Sequence, residues 1–223
     1  MTAPGRTTVP MVSRAPEAGR AIAELTDAPS PAIDESVRAD YVRLLRRVPG
    51  ALHREGDAFG ADGRRVHLTA SAYVVDATAD HLALLWHRKG SFWVQPGGHI
   101  DAGETSLEGA ARREVAEEIG LTDLQMLGGG PVELQRHDLS EAFGACGAHW
   151  DVRYLFRADA PAAELTLQPC AETPEVRWVP WPRTQGGQFS TVVPLPEGTV
   201  PDLAGVLSAL APHMAGWVSS RRS

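Results

Sequence analysis

The sequence predicts an α+β sandwich, and three observations carry that prediction. Strand-like runs stand on both sides of a central segment with helical spacing, helical spacing returns near both ends, and the composition is that of an ordinary globular chain. Apolar residues make up 43% and charged residues 22% of the 223, enough for one domain with a sizeable core. The formal charge of -7 argues against a nucleic-acid polymer as partner, although a local basic patch could hold a small anion. The two cysteines, Cys146 and Cys170, are too few for a disulfide framework. Neither sits in a Cys-x-x-Cys, so a reducing, cytoplasmic compartment is expected. No apolar run has the length of a membrane span, and no membrane partner is expected.

The elements follow in order. Residues 1–33 are rich in Pro, Ala, Thr and Arg and lack the apolar core of a secretory signal, so a flexible tail is expected there. From residue 34 to 223 a single domain is expected. Val37, Tyr41, Leu44, Leu45 and Val48 recur at helical spacing over about 35–48, and Pro49-Gly50 stops the run. VHLTASAYVVD and HLALLWHRK, joined by ATAD, read as a β-hairpin, and SFWVQ as a third strand ended by Pro96-Gly97-Gly98. PVELQRHDL, AHWDVRYLFRAD and EVRWVPW are later strands. A loop, open to motion, covers Trp181 to Pro201, and a last helix runs over about 201–218 with Pro201 in its first turn.

The central helix carries the chemistry. Thr105 followed by Glu108 is a capping-box signature, and Gly120 supplies a left-handed stop, so the helix should run from about Ser106 to Ile119. Glu114, Glu117 and Glu118 then fall within an arc of about 100°. A solvated acidic face is the plain alternative, because like charges at these spacings cost only about 0.2–0.5 kcal/mol per pair. The preceding Gly97-Gly98 shifts the balance: with no Cβ there, backbone carbonyls can approach a cation. Carboxylates, carbonyls and substrate phosphate are what Mg²⁺ takes as ligands. Arg113 is placed to hold a glutamate in position.

The stretch GGHIDAGETSLEGAARREVAEEIGL resembles the Nudix box of the Nudix hydrolase superfamily, through Gly98, Glu104, Arg113, Glu114, Val115, Glu117, Glu118, Gly120 and Leu121. One departure stands out: eight residues separate Glu104 from Arg113, one more than the family pattern. The metal-bearing part is intact, so the added residue is expected near the loop–helix junction. The resemblance covers about 66–182 and implies a Nudix-type α/β/α sandwich with a mixed sheet and flanking N- and C-terminal helices.

It also implies the activity: hydrolysis of a pyrophosphate bond in a nucleoside diphosphate linked to another group, or in a related organic pyrophosphate, with Mg²⁺ or Mn²⁺ as cofactor. The partner is then a small phosphate-containing molecule, and a homodimer is open. By carry-over, Glu114, Glu117, Glu118 and the Gly97 carbonyl would be metal ligands, with the general base open between Glu114 and Glu118. A further base or ligand is sought among His149, Asp151 and Glu141, with Glu172 and Glu175 behind them. Arg88, Trp93, His99 and Arg153 are candidates for substrate contact. Two rival readings are a non-catalytic Nudix-fold nucleotide sensor, which an intact glutamate set disfavours, and a diphosphate isomerase using Cys146, whose flanks GACGAH do not resemble that enzyme's motif.

Overall fold

A computed structural model of the chain describes residues 15–27, 30–104, 106–141 and 144–219. Two long strands frame it: β1 (Arg65–Val75) and β7 (Cys146–Ala158) pair in parallel from Val66 opposite Ala148 to Val75 opposite Arg157. Each has two short strands end to end on its outer edge. On β1 these are β2 (His81–His87), forming the expected hairpin, and β4 (Gly97–His99). On β7 they are β5 (Leu124–Leu127) and β6 (Glu133–Asp138). Strands β3 (Phe92–Val94) and β8 (Val176–Pro180) extend β2. All eight form one mixed sheet.

Strand alternation sorts the core into two layers. Leu68, Ala70, Ala72 and Val74 of β1 face α1 (Ala15–Asp27), α2 (Glu35–Arg47) and α3 (Leu107–Ile119). Tyr73 and Val75 face the other way, towards α4 (Leu203–Ser219) and its Leu203, Leu207, Leu210 and Met214. The result is the expected α/β/α sandwich. Burial of each such leucine or valine contributes about 1.5–3 kcal/mol. Among the described residues no helix is long and apolar enough to cross a membrane.

Several expectations are corrected. The tail expected over 1–33 contains α1, and residues 1–14 lie outside the described residues. Ala18, Ala21 and Leu25 are buried, a narrow apolar stripe of small residues that composition hides. Long-range contacts hold α1 in place. Glu24 accepts hydrogen bonds from the backbone N–H groups of Leu107 (2.8 Å) and Glu108 (2.7 Å) and from the Tyr154 hydroxyl (2.6 Å). It therefore caps the first turn of α3 from another helix, where amides lack intrahelical partners. Arg38 of α2 is buried and donates to the Leu25 carbonyl. Replacing Glu24 with Ala is expected to cost about 1–2 kcal/mol in urea unfolding, the scale of a lost cap.

The Gly97-Gly98 pair is strand β4 rather than a loop, because its pairing to Ser71 and Ala70 of β1 needs positions without side chains: a Cβ on Gly97 would run into Ser71. Strand β5 lies in LQML, which no sequence pattern singled out. Helix α4 begins at Leu203, leaving Pro201 in the turn before it. The stretch from Trp181 to Pro201 is anchored on Trp93, whose N–H donates to the Gly198 carbonyl and whose carbonyl accepts from Val200, both at 3.0 Å.

Candidate active site

Helix α3 is continuous from Leu107 to Ile119, so the additional residue of the box is taken up ahead of it. Thr105, the expected cap, lies outside the described residues; Ser106 occupies the N-cap and accepts from the Gly109 N–H at 2.8 Å. Gly120 closes the helix with φ 77°, as a left-handed stop requires. Leu107, Ala110, Ala111, Val115 and Ile119 bury one side. That fixes the glutamates on the other.

Arg113 ties the acidic groups together. Its Nε and Nη2 fork onto Glu104 at 2.9 and 3.2 Å, and its Nη1 reaches Glu114 at 2.8 Å and Glu117 at 3.0 Å. Nη2 also donates to the His99 carbonyl at 2.7 Å. Glu104 keeps its contact with Arg113 despite the longer box, and also accepts from the Asp101 N–H at 2.6 Å. The hydrogen bonds to Glu104 first, and then the neighbouring Glu114, hold the guanidinium charged. Replacing Arg113 with Lys keeps a charge and loses the planar fork. The expected result is a 10- to 100-fold fall in metal affinity or turnover, the scale of lost ligand support, read by metal titration of kcat.

Glu118 stands apart from Arg113. Its Oε2 accepts from the Gly97 N–H at 2.8 Å, and burial, opposed by that bond and reinforced by Glu114, Glu172 and Glu117, pushes its carboxyl up to about 8. Glu114 is also raised, by burial, with Arg113 opposing. Gly98 leaves the room Glu114 occupies: a Cβ there would lie 2.6 Å from its Oε1. Three carboxylates, two sharing the one guanidinium of Arg113 and the third outside its reach, are a donor set for a hard divalent cation. The contact Gly97 makes with this cluster is through its N–H.

The structure separates the other candidates. Glu172 lies close enough to Glu118 to raise its carboxyl, and Thr173 beside it donates to the Glu118 carbonyl at 3.1 Å. Glu141 is in an exposed turn, and Glu175 pairs with Arg177. Asp151 is buried, with Thr69 (2.9 Å), Ser71 (2.8 Å) and Arg153 (2.7 Å) on its two oxygens. Burial pushes its carboxyl up, but Arg153 and Ser71 bring it below its ordinary value. Arg153 is itself buried, with Tyr73 and Glu133 each at 3.0 Å. Trp93 is 5% exposed and covered by the Arg177 guanidinium at 3.8 Å. Arg88 is exposed in the turn after β2.

His99 and His149 belong to a different grouping with His67, which sequence reasoning passed over. Their ring centroids are 4.8–5.3 Å apart, and His137 lies 5.5 Å from His149. Burial, then the neighbouring imidazoles, lowers His67 and His149 to about 3; burial, then Arg54, lowers His99 to about 4. These rings are neutral at pH 7.

Comparison with known proteins bears on the family and the fold. The family model of the NUDIX domain matches residues 65–191. A search of curated proteins finds no match. Among solved structures, an Ap4A hydrolase of C. elegans in a binary complex is 18% identical, with 67% of this chain and 98% of that one covered and a TM-score of 0.50. A NUDIX-family hydrolase from Clostridium perfringens is also 18% identical, with coverages of 66% and 97% and a TM-score of 0.49. MutT protein from Methanosarcina mazei Go1 is 18% identical, with 66% and 94% covered and a TM-score of 0.47. At that identity the likeness speaks to fold alone; the family match covers more than half the chain. The chain belongs to the NUDIX domain family.

Proposed function

We propose that the chain hydrolyses the pyrophosphate bond of a nucleoside diphosphate linked to another group, or of a related organic pyrophosphate, and needs Mg²⁺ or Mn²⁺ to do so. The observation that carries this reading is the half-buried Glu118 carboxylate beside Glu114, to which no cation among the described residues is bonded and whose carboxyl is pushed up to about 8. Such a group costs stability when ionised, and a divalent ion relieves that cost. Glu114, Glu117 and Glu118 would hold the ion. When bound it would screen the phosphate oxygens and acidify a water.

The remaining tasks fall to the chain itself. Arg113 keeps Glu114 and Glu117 oriented while leaving Glu118 free, and Glu104 holds Arg113 from the far side. Glu118 is the favoured proton acceptor, since it is the glutamate with no arginine on its oxygens and a proton affinity near working pH. Glu172 reinforces that affinity by its charge. The exposed Arg88 is the remaining substrate-contact candidate not engaged in the core.

The test is a turnover screen with Mg²⁺ or Mn²⁺ over nucleoside triphosphates, nucleotide sugars, ADP-ribose, NAD, dinucleoside polyphosphates and prenyl diphosphates, with products identified by mass. Metal-dependent cleavage of one class supports the proposal and names the substrate. Binding of a nucleotide without turnover across the panel would overturn it in favour of a sensor.

A further inference from the structure

A second donor set lies beside the first and has the opposite chemistry. His67, His99, His149 and Cys146 each offer one ligand atom, and these four atoms lie within 4.8 Å of one another. Three strands bring them together. His67 of β1 stands opposite His149 of β7 in the parallel pairing, and His99 of β4 pairs with Thr69, two residues along β1 on the same face. Cys146 is three residues before His149, so plain alternation would send it to the opposite face. An irregularity in the register prevents this. Arg65 pairs with Cys146 but Val66 pairs with Ala148, so Gly147 is an extra residue in β7. The bulge re-aims Cys146 towards the imidazoles.

The polar groups here are unpaired in a place where that is costly. His67 is 1% exposed, and neither of its nitrogens has a hydrogen-bond partner among the described residues; the same holds for Nε2 of His99 and of His149. Buried polar atoms are nearly always satisfied, so several orphans converging on one point call for a ligand. Cys146 is buried and free. Arg54 and Arg65 bring positive charge close to His67, which disfavours a cation held by imidazoles alone. A metal-bound thiolate at Cys146 would offset that charge.

We propose that His67, His99, His149 and Cys146 form a structural zinc site separate from the acidic cluster of α3. Three imidazoles and a thiolate match the borderline-soft, four-coordinate preference of Zn²⁺, whereas Mg²⁺ and Mn²⁺ favour the oxygen set. Tetrahedral bond lengths place zinc ligands about 3.3–3.8 Å apart, so closing the set requires movement of about 1 Å. The site fastens β1, β4 and β7 at one point. Strand β4 is the one whose Gly97 N–H meets Glu118 and whose His99 carbonyl accepts from Arg113. Zinc on the His99 ring therefore stiffens the strand on which the acidic cluster rests.

The test uses the full chain with any affinity tag removed. Elemental analysis after dialysis against a weak chelator is expected to find one zinc per chain. Replacement by Co²⁺ is expected to give tetrahedral d–d bands and a sulfur-to-cobalt charge-transfer band. Cys146→Ser should remove the charge-transfer band, His149→Gln should weaken zinc binding by at least about tenfold, and Glu118→Gln should leave both signals unchanged. Folding of each variant is checked by circular dichroism, and the wild-type spectrum needs no variant. Absence of stoichiometric metal in the folded wild type would overturn the proposal. So would a charge-transfer band that survives Cys146→Ser, or zinc binding that is lost with Glu118→Gln. None of these readouts depends on turnover.

Discussion

Glu118→Gln is expected to lower kcat by at least about 10³-fold, the upper range for loss of a positioned acid–base group, while making the metal-free fold more stable. Both effects come from one feature, the half-buried carboxylate whose only hydrogen bond among the described residues is from Gly97. The amide of Gln can still accept that bond and fills the same space, so the change removes charge with little loss of packing. The sign follows from the proton. Glu118 has a folded-state value of about 8 against 4.5 ordinarily, so the folded chain holds a proton that the unfolded chain has released. Stability from this group is fully present below about pH 4.5 and is lost as pH rises through about 8. With chelator present, wild-type Tm should fall across that window and the variant's should fall less. Excess Mg²⁺ should reverse the order by stabilising only the wild type. Thermal melts at four pH values, with and without Mg²⁺, read all of this. A variant that hydrolyses normally, or an unchanged pH profile, would remove Glu118 from the site.

The largest expected loss of stability is at Arg153. Its Nε bonds Asp151 at 2.7 Å, its Nη1 bonds Glu133 and the Tyr73 hydroxyl at 3.0 Å each, and the side chain is 5% exposed. Arg153→Leu leaves the buried Asp151 and the half-buried Glu133 without their cation. Breaking a buried pair from one side costs about 3–5 kcal/mol, a large share of a domain's total stability. Urea unfolding should report this, and the soluble yield should drop. Arg153→Lys should lose less, because it retains charge and loses the fork. A substrate contact would behave differently: KM would rise and the unfolding midpoint would stay put. The geometry assigns Arg153 to the sheet, where it neutralises Asp151 between β1 and β6.

The box and its helix were legible because their information is local. The stop at Gly120 and the i, i+3, i+4 glutamates lie within one short stretch, the N-cap falls on Ser106, one residue after the expected Thr105, and the six apolar strand runs stand in their expected places. What stayed hidden depends on partners distant in sequence. Gly97, Gly98 and His99 carry no strand propensity of their own; β4 exists because β1 offers an edge that only bare backbone can approach. Helix α1 has a stripe of alanines too weak to recognise, and its anchor is Glu24 on the amides of Leu107 and Glu108. His67, His99 and His149 are scattered through the chain, and only strand register makes them neighbours. Cys146 required a bulge that no alternation rule foresees. Asp151 looked like a site residue because it is two residues from His149 on a strand, and Arg153 because arginine suits phosphate; the structure engages both in a polar network within the sheet.

The parallel pairing of β1 with β7 also bears on how the molecule comes to exist. Thr69 and Asp151, in hydrogen-bond contact, are 82 positions apart. The acidic helix lies inside the excursion between them. Closing so long a loop is entropically expensive and slow to be repaid, so folds dominated by distant pairings form late and over high barriers. During synthesis the glutamates leave the ribosome well before the strand that completes the sheet behind them. The chain is thus made with its acidic cluster unassembled, and the sheet on which that cluster rests closes only after the helix has been synthesised.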